Sequence, residues 1–87
     1  MNELLVSDKK KLELLRVLSD GKVYTYYHLS KIIKTNYETV KKNCRFLELL
    51  NLVEITRVDK EESASGIPFY RVKITEEGLK VVKKLKL

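Results

Sequence analysis

The chain has 87 residues, 44% of them hydrophobic, and carries 18 Lys and Arg against 12 Asp and Glu for a net charge of +6. A chain of this size holds one core, and its three Gly and one Pro argue against disorder. The lone Cys44 excludes an internal disulfide, and the basic excess favours a polyanionic partner, nucleic acid or an anionic membrane surface, unless it only solvates a lysine-rich exterior.

In chain order, residues 1–6, MNELLV, read as an N-terminal extension without the basic n-region or the length of a secretory signal. No apolar run approaches the roughly 20 residues that span a bilayer, so the expectation is a soluble, cytoplasmic chain with no membrane contact. Ser7 is placed to cap a helix from Asp8 to about Asp20, with Leu12, Leu15 and Leu18 on one face and Gly21 ending it. KVYT is a short extended link. Thr25 caps a second helix through about Ile33, which turns Leu29, Ile32 and Ile33 inward, and the small Ser30 lets a neighbour approach. A third helix follows after Lys34 and Thr35. Two caps compete for it, Thr35 with Glu38 as a capping box or Asn36 itself. Val40, Cys44 and Leu47 lie at i, i+4 and i+7 and form its buried stripe.

Asn51 ends the third helix where Gly is usual, since Asn tolerates the left-handed conformation next best. LVEITRV and IPFYRVKI are β-branched and partly alternating, and they flank the polar DKEESASG. They read as a hairpin with a long loop. Thr75 caps a last helix over 75–87, with acids at its start and lysines toward its end as the helix dipole prefers. The whole is one α+β domain over 1–87, mainly α, without repeat or linker.

From Thr25 to Gly78 the chain resembles a winged helix-turn-helix domain of the small bacterial, archaeal and viral transcription regulators. In HLSKIIKTNYETVKKNCRFLELLNLVEI an inward Leu of the second helix, Leu29, precedes an inward Val of the third, Val40, by eleven positions, which is similar to the family pattern. FLELLNLVEI is similar to its Leu-Glu-x-x-Gly-Leu-Val ending, with Asn51 in place of Gly. YRVKITEEG resembles its return strand and the Thr-Glu-x-Gly start of its last helix. The resemblance implies three helices, a two-stranded β-hairpin wing and a C-terminal helix. Two departures stand out. Lys34 replaces a frequent Gly in the turn, and the wing tip sets Asp59, Glu61 and Glu62 against Lys60 alone, where phosphate would repel the acids.

With Val40, Cys44 and Leu47 inward, a rotation of about 100° per residue puts Glu38, Lys42, Arg45 and Leu49 nearly opposite. The protruding surface then offers Asn36, Tyr37, Thr39, Lys41, Lys42 and Arg45 to a major groove of double-stranded DNA. Arg45 is the candidate guanine contact, because its planar fork can bond O6 and N7 together. Lys41 and Lys42 read bases or hold phosphates, with phosphate favoured. Glu38 accepts from a cytosine amino group or caps the helix, with the cap favoured. Tyr26 and Tyr27 stand where family members often touch the DNA backbone, although one of the tyrosines packing inward is the plainer reading, and Tyr24 is the one expected there. Lys60 is the wing's candidate contact.

Phe46 and Leu49 are apolar where a solvated face should be polar. The last helix of the chain itself (Leu79, Val82 and Leu85, with Val81 just outside the stripe), a partner's helix, or Leu4, Leu5 and Val6 could cover them. The resemblance implies a homodimer paired through terminal elements, with two recognition helices about one DNA turn apart on a (pseudo)palindromic site. The expected function is sequence-specific duplex binding by a transcription regulator that inserts helix 36–50. The alternative is a winged-helix protein-interaction module, favoured by the acidic wing and the Phe46–Leu49 patch. Duplex RNA is a lesser one, because its narrow major groove rejects a helix.

Catalysis finds little support. His28 beside a cap and Cys44 on the buried stripe make no zinc set of the usual kind, and no phosphate loop, nucleophile elbow or paired-carboxylate motif occurs. No cofactor, metal or small-molecule ligand is expected. The absence of Gln, with abundant Lys, Glu and Ile, leans toward a thermophilic source. A disulfide between subunits through Cys44 stays open.

Overall fold

The computed structural model describes the backbone of residues 6–87 and the side chains of residues 8–87. Leu4 and Leu5 lie outside the described residues, as do the side chains of Val6 and Ser7. The order is α1 (Val6–Leu18), β1 (Tyr24–Thr25), α2 (Tyr26–Ile32), α3 (Tyr37–Leu49), β2 (Val53–Val58), β3 (Phe69–Ile74) and α4 (Glu76–Leu85). The architecture is the winged helix-turn-helix: a helical layer against a small antiparallel sheet that carries the wing.

Ser7 falls inside α1, so it does not occupy the cap position expected of it. The helix buries Leu14, Leu15 and Leu18, while Leu12 is half-buried; the apolar stripe is rotated by part of a turn from the Leu12–Leu15–Leu18 line. Gly21 ends the turn at a φ of 79°, where its N–H reaches the Leu18 carbonyl at 3.0 Å. Thr25 caps α2 as expected, its Oγ1 accepting from the His28 N–H at 3.1 Å. The inward residues are Tyr26, Leu29, Ser30 and Ile33, which follow a helical spacing of three, four and seven. Ile32 lies off that stripe and is exposed, contrary to expectation.

Of the two competing caps on α3, Asn36 wins. Its Oδ1 accepts from the Thr39 N–H at 2.8 Å, which shifts Glu38 out of capping-box register and leaves it exposed. Val40, Cys44 and Leu47 are buried as their spacing predicts. Asn43 joins them, and its amide is satisfied by donating to the Thr39 carbonyl at 2.9 Å. Asn51 adopts the left-handed conformation at a φ of 59°, and the Leu52 N–H returns to the Leu47 carbonyl at 2.9 Å.

The sheet has three strands in the order β1-β3-β2, not the expected two. β2 and β3 form the hairpin from Val53↔Ile74 to Val58↔Phe69, and the KVYT link supplies β1 through Tyr24↔Val72 and Thr25↔Arg71. Two residues are too few to show alternation, so only the open edge of β3 reveals this strand.

The end of α3 and the start of α4 meet at one point. Thr75 Oγ1 accepts from the Gly78 N–H at 3.0 Å and donates to the Asn51 carbonyl at 2.7 Å, while its own N–H donates to the Leu52 carbonyl at 3.0 Å. Gly78 is required here, since a Cβ at this position would stand 2.2 Å from the Leu52 carbonyl oxygen. Leu14, Leu15, Leu18, Tyr26, Leu29, Val40, Leu47, Val53, Val72 and Ile74 belong to one continuous core, with Val81 and Val82 of α4 half-buried against it.

Candidate nucleic-acid interface

The outer side of α3 begins at its cap. Asn36, Glu38, Thr39, Lys41, Lys42 and Arg45 line one open hollow along the helix, so the residues gathered by helical rotation are neighbours in space. Lys42 and Arg45 are exposed and Lys41 is half-buried. Tyr37, the first residue of the helix, is exposed and meets Tyr26 edge to face at 5.7 Å. The helix N-terminus lies nearby, and the charge, donors and dipole at this end suit an anion.

Tyr26 is a correction. Its ring is only 1% exposed and stacks on Tyr70 of β3, with centroids 5.3 Å apart and planes 23° from parallel. Its position on the inward stripe of α2 dictates this. Burial pushes the phenol up to about 12 against the lowering pull of the nearby Arg45 guanidinium, and the hydroxyl makes no hydrogen bond of good geometry. Such a residue supports the surface from beneath and does not touch a ligand. Tyr24, the one expected inside, is only half-buried and donates its hydroxyl to Asp20. That bond lowers the Asp20 carboxyl and raises the Tyr24 phenol. Tyr27 is exposed, with the Lys31 ammonium 5.2 Å from its ring centroid and His28 beside it.

Arg45 reaches across to the sheet, and its guanidinium carbon lies 5.7 Å from the Tyr70 ring centroid. In the hairpin register Tyr70 pairs with Arg57, a residue the sequence reading omits. The signal was the alternation Val53, Ile55, Arg57, which puts Arg57 on the hairpin face that meets α3. Arg57 is paired with Asp59, Nε to Oδ1 at 3.0 Å. Lys60 follows in an exposed turn where the Asp59 carbonyl accepts from the Glu62 and Ser63 N–H groups at 2.9 and 3.1 Å. It therefore sits among acids at the wing tip, apart from the α3 hollow.

The far end of α3 differs in kind. Phe46 is 45% and Leu49 83% exposed, and Leu50 beside them is exposed too. The Lys11 ammonium lies 4.8 Å over the Phe46 ring, but α4 does not cover this pair. In α4, Val81 and Val82 pack on the core, whereas Leu79 and Leu85 stay exposed. Val81 thus belongs to the inward stripe it was expected to miss. Between α1, α3 and α4 runs a groove lined by Leu12, Leu15, Leu47, Leu50, Leu52 and Val81.

Cys44 is fully buried, and desolvation pushes its thiol up to about 12, so it is a protonated filler at neutral pH. Among the described residues no three His, Cys, Asp or Glu are grouped to hold a metal ion, and no helix is long and apolar enough to cross a membrane.

The fold is that of transcriptional regulators of the winged-helix type. A transcriptional regulator homologue from Pyrococcus horikoshii OT3 superposes with a TM-score of 0.74 at 19% identity, over 88% of this chain and 72% of that one. A MarR family regulator from Neisseria meningitidis gives 0.70 at 18% identity, over 88% of this chain and 51% of that one. A putative DNA-binding protein from Ralstonia eutropha JMP134 gives 0.71 at 18% identity, over 90% and 95%. The chain thus spans about half of the MarR family regulator and nearly all of the Ralstonia protein. No protein-family model and no curated protein matches the sequence.

Proposed function

We propose that the chain is a single winged-helix domain over 1–87 that acts in the cytoplasm as a sequence-specific double-stranded DNA-binding transcription regulator. Helix 36–50 enters the major groove, and two copies bind a (pseudo)palindromic site as a homodimer. The observation that carries this reading is the uncovered cationic side of α3, where Lys41, Lys42 and Arg45 share one open hollow with Asn36 and Thr39. A groove about 12 Å wide admits one helix, and its base edges match these donors and acceptors. Tyr27 with Lys31 is suited to the phosphate backbone at the start of α2. The fold of regulators supports the same reading, though fold by itself never fixes function.

The dimer would use the exposed Phe46, Leu49, Leu79 and Leu85, with Val82 at its edge and Leu4 and Leu5 of the N-terminal extension. Burial of these side chains is non-directional and needs only a complementary apolar face. The competing reading, a protein-interaction module, draws on the same apolar patch and on the acids around Lys60 and Arg57.

Selection of duplexes from a random pool followed by gel shifts at rising salt decides between them. The regulator reading predicts binding whose log affinity falls against log salt with a slope of about −4 to −5. Arg45→Ala should cost about 1–3 kcal/mol and relax preference at one base pair, whereas Lys42→Ala should weaken all duplexes and shallow the slope by about one unit. No duplex binding in dilute buffer would favour the protein module.

A further inference from the structure

The geometry points to Tyr70 as the residue that aims Arg45: a ring platform on the wing's return strand that fixes the direction of the recognition helix's guanidinium before DNA arrives. This rests on the reading of α3 as the base-reading helix, and it adds a specificity-determining position outside that helix.

Arg45 is an exposed side chain on the outer face of α3, yet its guanidinium lies 5.7 Å from the Tyr70 ring centroid. Arg45 remains in solvent, so the contact is not core packing, and its charge also acts on the Tyr26 hydroxyl. Tyr70, by contrast, is held firmly. Its strand β3 is the central one, paired with β1 on one side and β2 on the other. Its ring stacks at 5.3 Å on Tyr26, which is itself 1% exposed and meets Tyr37 edge-on at 5.7 Å. A chain of rings therefore runs from the core to the one arginine of the hollow. A free arginine samples many rotamers, whereas a bidentate base contact needs the fork held in one plane. A ring beside the guanidinium can hold that plane at low cost. A lysine at position 45 could not use it in the same way, having no planar fork.

The inference separates Tyr70 from a merely structural ring. Tyr70→Leu removes the platform but keeps an apolar filler at the sheet; Tyr70→Phe keeps the ring. In the DNA-free protein, the Arg45 Nε–H resonance should be displaced by the ring current in the wild type and in Tyr70→Phe, and should lose that displacement in Tyr70→Leu. On duplexes differing only at the base pair that Arg45→Ala identifies, Tyr70→Leu should lower discrimination about 2–5-fold, the worth of an exposed cation–π contact, with Tyr70→Phe unchanged. Affinity for unrelated duplex should stay within about twofold, and the Arg45→Ala/Tyr70→Leu double variant should discriminate no worse than Arg45→Ala alone. Thermal melts confirm that each variant is folded. Equal weakening on every duplex by Tyr70→Leu, or an undisplaced Arg45 resonance in the wild type, would overturn the assignment. Should the wild type bind no duplex at all, the DNA reading itself falls and takes this one with it, a result distinct from duplex binding with discrimination intact in Tyr70→Leu.

Discussion

Toward its start α3 is held by the Asn36 cap and the Tyr37–Tyr26 edge contact, and farther along Arg45 meets the Tyr70 ring, whereas its last turn leaves Phe46, Leu49 and Leu50 in solvent. The two ends have been given different kinds of order. Polar recognition depends on the direction of each donor, so a reading surface gains from contacts that fix side chains in advance. Apolar association is non-directional and gains from area alone, so a docking surface can wait unbraced. One helix thus joins a surface that is set to one that is left open.

The largest effect should come from the seat of α4, the helix that carries the exposed Leu79 and Leu85. Gly78→Ala would put a methyl 2.2 Å from the Leu52 carbonyl oxygen and 2.5 Å from Ile74 Cγ1, prying apart the Thr75–Leu52 bond. Ala is the better helix former by about 1 kcal/mol, but overpacking against backbone, at about 1–3 kcal/mol, outweighs this for a net loss of up to about 2 kcal/mol. A urea titration measures it. An unchanged or raised midpoint would mean that α4 is not seated at this point.

Next comes the open end itself. Leu49→Glu alters a side chain that is 83% exposed, so the folded monomer should change by less than about 0.5 kcal/mol. A charge at the centre of an apolar interface should weaken self-association about 10–30-fold, typical of a hot spot. Sedimentation equilibrium of wild type and variant tests both halves. A wild type that stays at 10.2 kDa in concentrated solution would remove the dimer, leaving the patch to a different partner.

Beneath the braced end lie two groups whose protons the fold retains. Burial raises the Cys44 thiol from 9.0 to about 12 and the Tyr26 phenol from 10.0 to about 12. A raised folded value means that the native state keeps a proton which the unfolded chain has already released. Stability is therefore fully present below about pH 9 and falls as pH climbs toward 12. Near pH 10 the thiol's share of the loss is about 1 kcal/mol. Denaturation midpoints across this range should fall less steeply in Cys44→Ala than in the wild type. Parallel slopes would mean that the thiol is open to water in solution.

The contrast between the ends was largely legible in the sequence, because it follows from helical rotation about Val40, Cys44 and Leu47. The caps at Thr25 and Thr75 and the left-handed Asn51 were legible for the same reason, each being settled within one turn of chain. What escaped was tertiary. YTYY offers three tyrosines in four positions; the stripe shared with Leu29, Ser30 and Ile33 turns Tyr26 inward, but its partner there, Tyr70, lies on a strand far along the chain. β1 exists because β3 has an edge to pair, Asn43 is buried because the Thr39 carbonyl can take its amide, and Ile32 is exposed although its type belongs inside. At the candidate surface, the α3 residues could be collected from rotation alone and Arg57 from the alternation Val53, Ile55, Arg57, but the Tyr70 platform required the hairpin register.

The smallest effect tests whether the braced end keeps strain for a purpose. Lys34, in the turn between α2 and α3, stands at a φ of 54°, in the left-handed region where an L side chain costs about 1–2 kcal/mol. Lys34→Gly should relieve that cost but admit more freedom in the unfolded chain, for a net gain of about 0.5 kcal/mol. Asn51→Gly, at a φ of 59°, should gain less, since Asn tolerates this conformation. Backbone strain tends to persist where a side chain is wanted for function. The exposed Lys34 precedes α3, where a phosphate strand would pass if that helix lies in the groove. Lys34→Gly should then raise the urea midpoint while shallowing the salt dependence of duplex binding by about one unit. A gain in stability with the salt slope intact would make the lysine a tolerated misfit, and a loss of stability would show that its side chain holds the turn together.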